Sequence, residues 1–134
     1  MKKLILLSLT ILFFSCGESD SNSSNNTSIN PPSWIQGVWT NESVSQYYRL
    51  GFEFKVDDLC TIFYNIATCN KEILNQLGKN QYVNVQENIS ANRYAIDITN
   101  LSYTTSYVFE KINNNKIIQK NATTQGTDVI LTRE

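Results

Sequence analysis

The chain has no histidine and only three cysteines among its 134 residues. Histidine is the side chain most often used as a general base near neutral pH, and it is the commonest ligand of transition metals. The sequence also has neither a G-x-S-x-G nucleophile motif nor a Gly-rich phosphate-binding loop. We therefore expect a protein that is not an enzyme and that holds no cofactor and no metal.

The chain also has no large excess of positive or of negative charge. Eleven basic and twelve acidic side chains give a net charge of −1 at pH 7, and the basic residues form no cluster. Nucleic acids and anionic lipid surfaces are bound mainly through concentrated positive charge. The composition therefore argues against a nucleic-acid partner.

Long apolar runs are limited to residues 4–14, which follow Lys2 and Lys3 and precede Ser15-Cys16. The run is too short to span a bilayer, which takes about 20 residues, but it suits the core of a signal peptide. The segment resembles a bacterial lipoprotein signal, in which the cysteine becomes the first mature residue and carries diacylglycerol. The resemblance implies a signal peptide over 1–15 and a lipid on Cys16. An ordinary secretory signal and an uncleaved anchor are the alternatives.

Lipidation at Cys16 implies a place in the cell envelope, anchored at the outer membrane of a Gram-negative bacterium, on either its periplasmic or its exposed face. Two or three acyl chains together hold a protein stably on a membrane, whereas one chain binds reversibly. Glu18 and Asp20 are similar to the acidic export tags of some lipoproteins, or they are ordinary solvated charges of a linker.

The segment that follows the cysteine is polar. Residues 17–30 contain a single apolar side chain, Ile29, and so cannot bury enough apolar area to offset the entropy of ordering. We expect a flexible linker over 16–32 that ends in Pro31-Pro32. The remaining residues, 33–134, are enough for one small domain.

Alternation of apolar and polar side chains dominates that domain. Phe52 and Phe54 flank Glu53, and Tyr94 and Ile96 flank Ala95, which is typical of strands with one buried face. Short connectors rich in Asn, Asp and Gly favour tight turns between sequential antiparallel strands. The pattern predicts eight strands, at 34–40, 46–56, 59–65, 81–87, 92–99, 102–112, 116–121 and 127–133.

One segment departs from this alternation. Residues 70–77 place Ile73, Leu74 and Leu77 on one helical face, with Asn70 or Thr68 as the N-cap and Gly78 after the last turn. We therefore expect an all-β fold, a small antiparallel meander barrel of about eight strands, with one short helix between the third and fourth strands. Closure of the barrel would remove the free sheet edges that invite aggregation.

Cys60 and Cys69 remain after the lipid cysteine is set aside. An exported protein meets oxidising conditions, so this even pair is expected to form a disulfide; two buried thiols are the alternative. Asp57-Asp58 lies between two strand patterns, where aspartate is a common turn residue, and we interpret the pair as a turn rather than as two catalytic carboxylates.

The residues Gly37 and Trp39 form a G-x-W motif that resembles the opening strand of lipocalin-like barrels. The resemblance implies that Trp39 plugs one end of the barrel and that an arginine from the last strand, here Arg133, packs across it as a cation–π pair. Full-size lipocalins are longer than this domain, which argues against a deep ligand cavity.

The interior of an eight-stranded barrel is either filled by side chains or leaves room for one small ligand. Five residues are candidates for lining it: Phe52, Phe54, Tyr94, Ile96 and Tyr107. We expect a non-enzymatic, membrane-anchored lipoprotein that binds a small apolar or amphiphilic ligand. The alternative is a protein-interaction module, either an accessory subunit of an envelope complex or an inhibitor of a hydrolase. A closed cavity would favour the first, and a filled barrel with exposed tyrosines the second.

Overall fold

The computed structural model describes residues 26–41, 47–77, 82–122 and 126–134. The signal peptide expected over 1–15, Cys16 and Gly78 lie outside the described residues. No helix in the described part is long and apolar enough to cross a bilayer. These residues form nine strands and one helix: β1 (Gly37–Thr40), β2 (Leu50–Phe54), β3 (Leu59–Phe63), β4 (Ile66–Cys69), α1 (Asn70–Leu77), β5 (Val83–Ile89), β6 (Arg93–Asn100), β7 (Tyr103–Lys111), β8 (Lys116–Gln119) and β9 (Val129–Arg133).

The nine strands form one antiparallel sheet in the order β4-β3-β2-β1-β9-β8-β7-β6-β5, curled into a half-barrel. Strands that are consecutive in sequence pair with each other, except β4 and β5, and the first and last strands also pair, with Trp39 opposite Arg133. The predicted all-β antiparallel meander with a single short helix is confirmed. Strands β4 and β5 form the two edges of the sheet.

The structure has one strand more than the sequence predicted, and the helix therefore follows the fourth strand. The third predicted strand, 59–65, ends at Phe63, and a two-residue turn leads directly into β4, with Phe63 opposite Ile66. Tyr64 and Asn65 both adopt positive φ, at 49° and 67°, as a type I′ hairpin turn requires. Tyrosine is an unusual residue for such a turn, which is why sequence analysis missed it.

The two edge strands run in the same direction, because nine strands alternate across the sheet. Helix α1 returns the chain from the end of β4 to the start of β5, as parallel strands require. Its Leu74 is buried in the main core. We call the end of the half-barrel that holds the β3–β4 and β6–β7 turns the mouth end. The opposite end, which holds the β2–β3, β5–β6 and β7–β8 turns, is the far end.

The helix is capped from a distant loop and not by its own first residue. The Asp58 carboxylate, 5% exposed, accepts hydrogen bonds from the backbone amides of Asn70 at 3.2 Å and Lys71 at 2.9 Å. It also accepts one from its neighbour Leu59. The predicted caps, Asn70 and Thr68, do not perform this role; Asn70 instead donates its side-chain amide to the Leu59 carbonyl.

Residues 26–36 form a strap that runs along β5, although the sequence predicted a flexible linker up to residue 32. The Val85 amide donates to the Asn26 carbonyl at 2.6 Å, and the Asn30 amide donates to Glu87 at 2.9 Å. Ile29 is only 2% exposed and joins the core. One buried isoleucine and the open edge of β5 supply the contacts that linker composition alone did not reveal.

The core lies on the concave face of the sheet, where α1 and the strap also contribute side chains. It consists of Ile29, Ile35, Trp39, Phe52, Phe54, Leu59, Leu74, Val83, Val85, Tyr94, Ile96, Ile98, Phe109, Ile117 and Leu131. These positions follow the period-two alternation that predicted the strands.

Candidate functional site

The far end of the half-barrel is closed by Trp39 and Arg133. The guanidinium carbon of Arg133 lies 4.3 Å from the centroid of the fully buried Trp39 ring, and its nitrogens donate to the carbonyls of Gln36, Trp34 and Asn114. Gly37 has a φ of 122°, and an added Cβ would lie 3.2 Å from the guanidinium. The three residues of the proposed closure therefore lie together.

The interior next to this closure is filled by aromatic rings. Phe54 lies between Phe52 and Tyr94, with ring centroids 6.0 and 6.1 Å away, and Phe109 packs edge-on against Phe54 at 5.0 Å. Together with Ile96, these side chains are buried. Four of the five residues considered as ligand-lining, Phe52, Phe54, Tyr94 and Ile96, are thus part of the packed core.

Tyr94 is held by its hydroxyl as well as by its ring. The hydroxyl donates to Glu87 Oε1 at 2.6 Å. Burial, followed by this hydrogen bond and the nearby negative charge, raises the pKa of Tyr94 far above its ordinary value. The phenol therefore stays neutral and serves a structural role between β5 and β6.

The fifth candidate, Tyr107, is half-buried and faces the mouth. Its ring lies edge-on to Phe52, with centroids 5.4 Å apart, and is stacked with Phe109 at 6.2 Å. Tyr107 borders two clefts at once. It is therefore the point at which the packed interior meets open space.

The larger of these two clefts has a volume of about 410 Å³ and is lined by residues of β2, β3, β7, β8 and β9. Phe52 and Leu131 belong to its floor, since both are buried in the core. The described residues that line it are Asn41, Leu50, Gly51, Phe52, Thr61, Ile62, Phe63, Tyr107, Gln119, Ala122, Val129 and Leu131.

The second cleft, about 280 Å³, lies between α1 and the β6–β7 hairpin. Asn100 contributes an amide oxygen that is buried and has no hydrogen-bond partner in the described part of the chain. A buried acceptor without a donor is costly, and a bound molecule with an O–H or N–H group would satisfy it. The described residues that line it are Asn70, Ile73, Leu74, Ile98, Asn100, Leu101, Tyr103, Thr105 and Tyr107.

Among the described residues that line these two clefts, none is charged. Burial raises the pKa of the Tyr107 phenol, so this side chain also remains neutral. Amides, hydroxyls and aromatic rings are the available contacts. The arrangement suits an uncharged molecule that has both apolar faces and hydrogen-bonding groups.

A wider cleft of about 640 Å³ lies outside the half-barrel, beside Cys69 and the start of α1. Its two lysines are already paired, Lys71 with Asp57 and Lys55 with Glu53 at 3.6 Å, and Glu72 accepts a hydrogen bond from Gln76. The adjacent aspartates have separate structural roles, since Asp57 binds Lys71 and Asp58 caps the helix. We see no paired carboxylates for acid–base chemistry here.

Cys60 and Cys69 are directly opposite each other on β3 and β4 and form a disulfide. The bond joins the edge strand to the sheet just before α1 begins. The expected pairing of these two cysteines is confirmed, and the bond leaves neither sulfur available as a metal ligand.

The comparisons with known proteins give no relatives: no family model, no curated protein and no solved structure matches this chain. The candidate site is therefore identified from the geometry of this chain alone. Sequence analysis missed Asn100 and Phe109 as site residues. Both are in phase with predicted alternating positions, Asn100 with Ile96 on β6 and Phe109 with Tyr107 on β7, and this periodicity is the signal that could have located them.

Proposed function

We propose that this protein is a lipoprotein of the bacterial envelope, anchored through Cys16, that binds a small uncharged amphiphilic molecule at the mouth of its half-barrel and catalyses no reaction. The observation that carries the binding role is the pair of uncharged clefts that meet at Tyr107. The resemblance of residues 1–16 to a lipoprotein signal supports the anchor.

The uncharged lining determines the class of ligand. A fatty acid or a phosphorylated molecule would bring a negative charge that no described lining residue neutralises, and burying an unpaired charge is expensive. A molecule with hydroxyl or amide groups instead finds partners in Asn100 and Thr105. Its apolar faces contact rings such as Phe52 and Tyr107.

The closed far end supports a lipocalin-like interpretation of the half-barrel. Trp39 and Arg133 fill the far end of the interior, so the depth that the described interior offers a ligand is at the mouth. Phe52, Phe54 and Tyr94 are packed in the core, so a ligand can enter the interior only a short distance from the mouth. We therefore propose a shallow site that binds part of a molecule and leaves the rest exposed.

A native mass spectrum of the full protein, gently extracted from its own membrane, tests both parts of the proposal. We expect acyl mass on Cys16, a chain two hydrogens lighter than the reduced form, and a discrete uncharged adduct. Acylated protein that never carries an adduct would contradict ligand binding. A chain without acyl mass would contradict the anchor.

Three variants locate the adduct. Asn100→Leu removes the unpartnered acceptor, and Tyr107→Ala removes the ring that both clefts share; each is expected to abolish the adduct. Asn88→Leu makes the same change as Asn100→Leu at an exposed position of β5 and should retain it. Circular dichroism of all three proteins shows whether the fold is intact, and an adduct that survives in folded Asn100→Leu and Tyr107→Ala lies elsewhere.

A further inference from the structure

The exposed aromatic side chains are distributed unequally over the half-barrel. In the described part of the chain, all of the large aromatic side chains that are exposed lie at the mouth end, on β3 or in the turns and strand ends beside it. They are Tyr47, Tyr48, Phe63, Tyr64, Tyr82 and Tyr103. We call this set the aromatic rim. At the far end the exposed large side chains of the turns are aliphatic, as with Val56 and Ile112.

Two aliphatic residues extend the rim: Ile66 at the start of β4 and Leu101 in the β6–β7 turn are both exposed. At the β3–β4 turn the rings contact one another, with Tyr64 4.4 Å from Phe63 and 5.0 Å from Tyr48 between centroids. Tyr64 holds a positive φ, which costs energy for a residue with a Cβ. The turn thus projects an aromatic cluster from the end of the sheet.

In the described part of the mouth end, the charged side chains near these rings are paired with one another. Arg49 forms an ion pair with Glu134, and Lys120 forms one with Asp128. By contrast, the far end and its surroundings carry Arg93, Lys111 and Lys116. The rim is therefore an amphipathic, uncharged surface.

The described chain begins near the same end. Trp34 hydrogen-bonds to Ser90 at the far end, Asn30 to Glu87, and Asn26 to Val85. From Trp34 back to Asn26, the strap therefore runs along β5 from the far end toward the mouth end. Cys16 precedes Asn26 by ten residues. Ten residues reach at most about 36 Å even when fully extended, so the anchor stays within that distance of Asn26.

We infer that the mouth end rests on the lipid surface to which Cys16 is anchored, with the aromatic rim at the depth of the lipid headgroups. This inference rests on the proposed anchor. Tyrosine is well suited to this depth, because its ring is apolar and its hydroxyl stays hydrated. Apolar side chains of surface-bound proteins enter the interface by about 5–10 Å. The uncharged clefts then open toward the bilayer, so their ligand is taken from the membrane.

The test uses the full lipidated protein in vesicles of phosphatidylcholine with brominated acyl chains, which quench tryptophan fluorescence at short range. Tyr82→Trp and Tyr64→Trp place a reporter on the rim, and Val56→Trp and Ile112→Trp place one at the far end. Tyr82 and Val56 are comparably exposed, at 63% and 73%. The native Trp34 and Trp39 both lie at the far end and contribute equally to every variant.

We expect quenching of the two rim reporters to exceed that of the two far-end reporters several-fold, together with a blue shift of their emission. Similar quenching at both ends, or none at either end in protein that floats with the vesicles, overturns docking of the rim while the anchor stands. Protein that carries no acyl mass overturns the anchor and the docking together. Unquenched rim reporters in protein whose rim crosslinks to another envelope protein would assign this face to a protein partner instead.

Discussion

The guanidinium of Arg133 lies 4.3 Å above the ring of Trp39, which joins the last strand of this protein to the first. The two residues are also opposite each other in the β1–β9 pair. The same guanidinium donates to three backbone carbonyls, from Trp34, Gln36 and Asn114. One side chain thus joins the strap, the first strand and the β7–β8 turn at the closed end.

Replacing Arg133 should therefore be more damaging than replacing other surface cations. Arg133→Lys keeps the charge but loses the planar guanidinium, which donates the three hydrogen bonds and lies over the Trp39 ring. We expect a loss of about 2–4 kcal/mol in the free energy of unfolding. Arg49→Lys is the control, because its ion pair with Glu134 is 44% and 39% exposed and contributes about 0–1 kcal/mol. Urea denaturation followed by tryptophan fluorescence measures both. Equal losses for the two variants would contradict the closing role of Arg133.

The cap that Asp58 provides makes a second prediction. Asp58→Ala removes the acceptor of the Asn70 and Lys71 amides, and we expect a loss of about 1–2 kcal/mol together with weaker protection of α1 against hydrogen exchange. Asp57→Ala should change stability little, since Asp57 is exposed and its partner Lys71 is too. If Asp57→Ala were the more damaging of the two, the assignment of the cap would be wrong.

The strap along β5 gives a third prediction. Ile29 is 2% exposed, so Ile29→Ala should cost about 2–4 kcal/mol. The same change at the exposed Ile89, Ile89→Ala, should cost well under half as much. Limited proteolysis is expected to cleave Ile29→Ala within residues 26–36 at protease levels that leave Ile89→Ala intact there. Equal resistance of the two proteins in this segment would favour the linker that the sequence predicted.

The Tyr94–Glu87 hydrogen bond predicts a specific loss of stability at high pH. The pKa of Tyr94 is raised in the folded state above its ordinary value of 10.0, so above that pH the unfolded chain releases a proton that the folded chain retains. The contribution of Tyr94 is therefore complete below pH 10 and falls progressively at higher pH. In Tyr94→Phe this slope should be smaller, as measured by urea denaturation between pH 9 and pH 11. An unchanged slope would show that Tyr94 titrates at its ordinary pKa in the folded protein.

Much of the fold was predictable because it depends on local pattern. Alternation at Phe52 and Phe54 or at Tyr94 and Ile96 is set by the two-residue repeat of a strand, and the apolar face of residues 70–77 by the repeat of a helix. The pairing of Cys60 with Cys69 was predicted from the number of cysteines and from the expectation that the protein is exported. The lipid on Cys16 remains a prediction, since it lies outside the described residues.

The candidate site was only partly predictable, because burial depends on what lies opposite in the fold. Phe52, Phe54, Tyr94 and Ile96 were identified as inward-facing, but sequence pattern could not separate core from cleft. The structure packs these four together and leaves Tyr107 at the open end. Asn100 has a buried oxygen without a partner among the described residues, beside a cleft that α1 also lines, and sequence pattern could not reveal this either.

The sequence alone determined the helix, the disulfide and all of the strands except β4, because each depends on neighbours within a few residues or on a count. Only the tertiary structure decided that Asp58 caps α1, that the strap covers β5, and that the exposed rings lie at one end. These features depend on contacts between residues distant in sequence, such as Asn26 with Val85. Their energies come from register and packing, which no local repeat specifies.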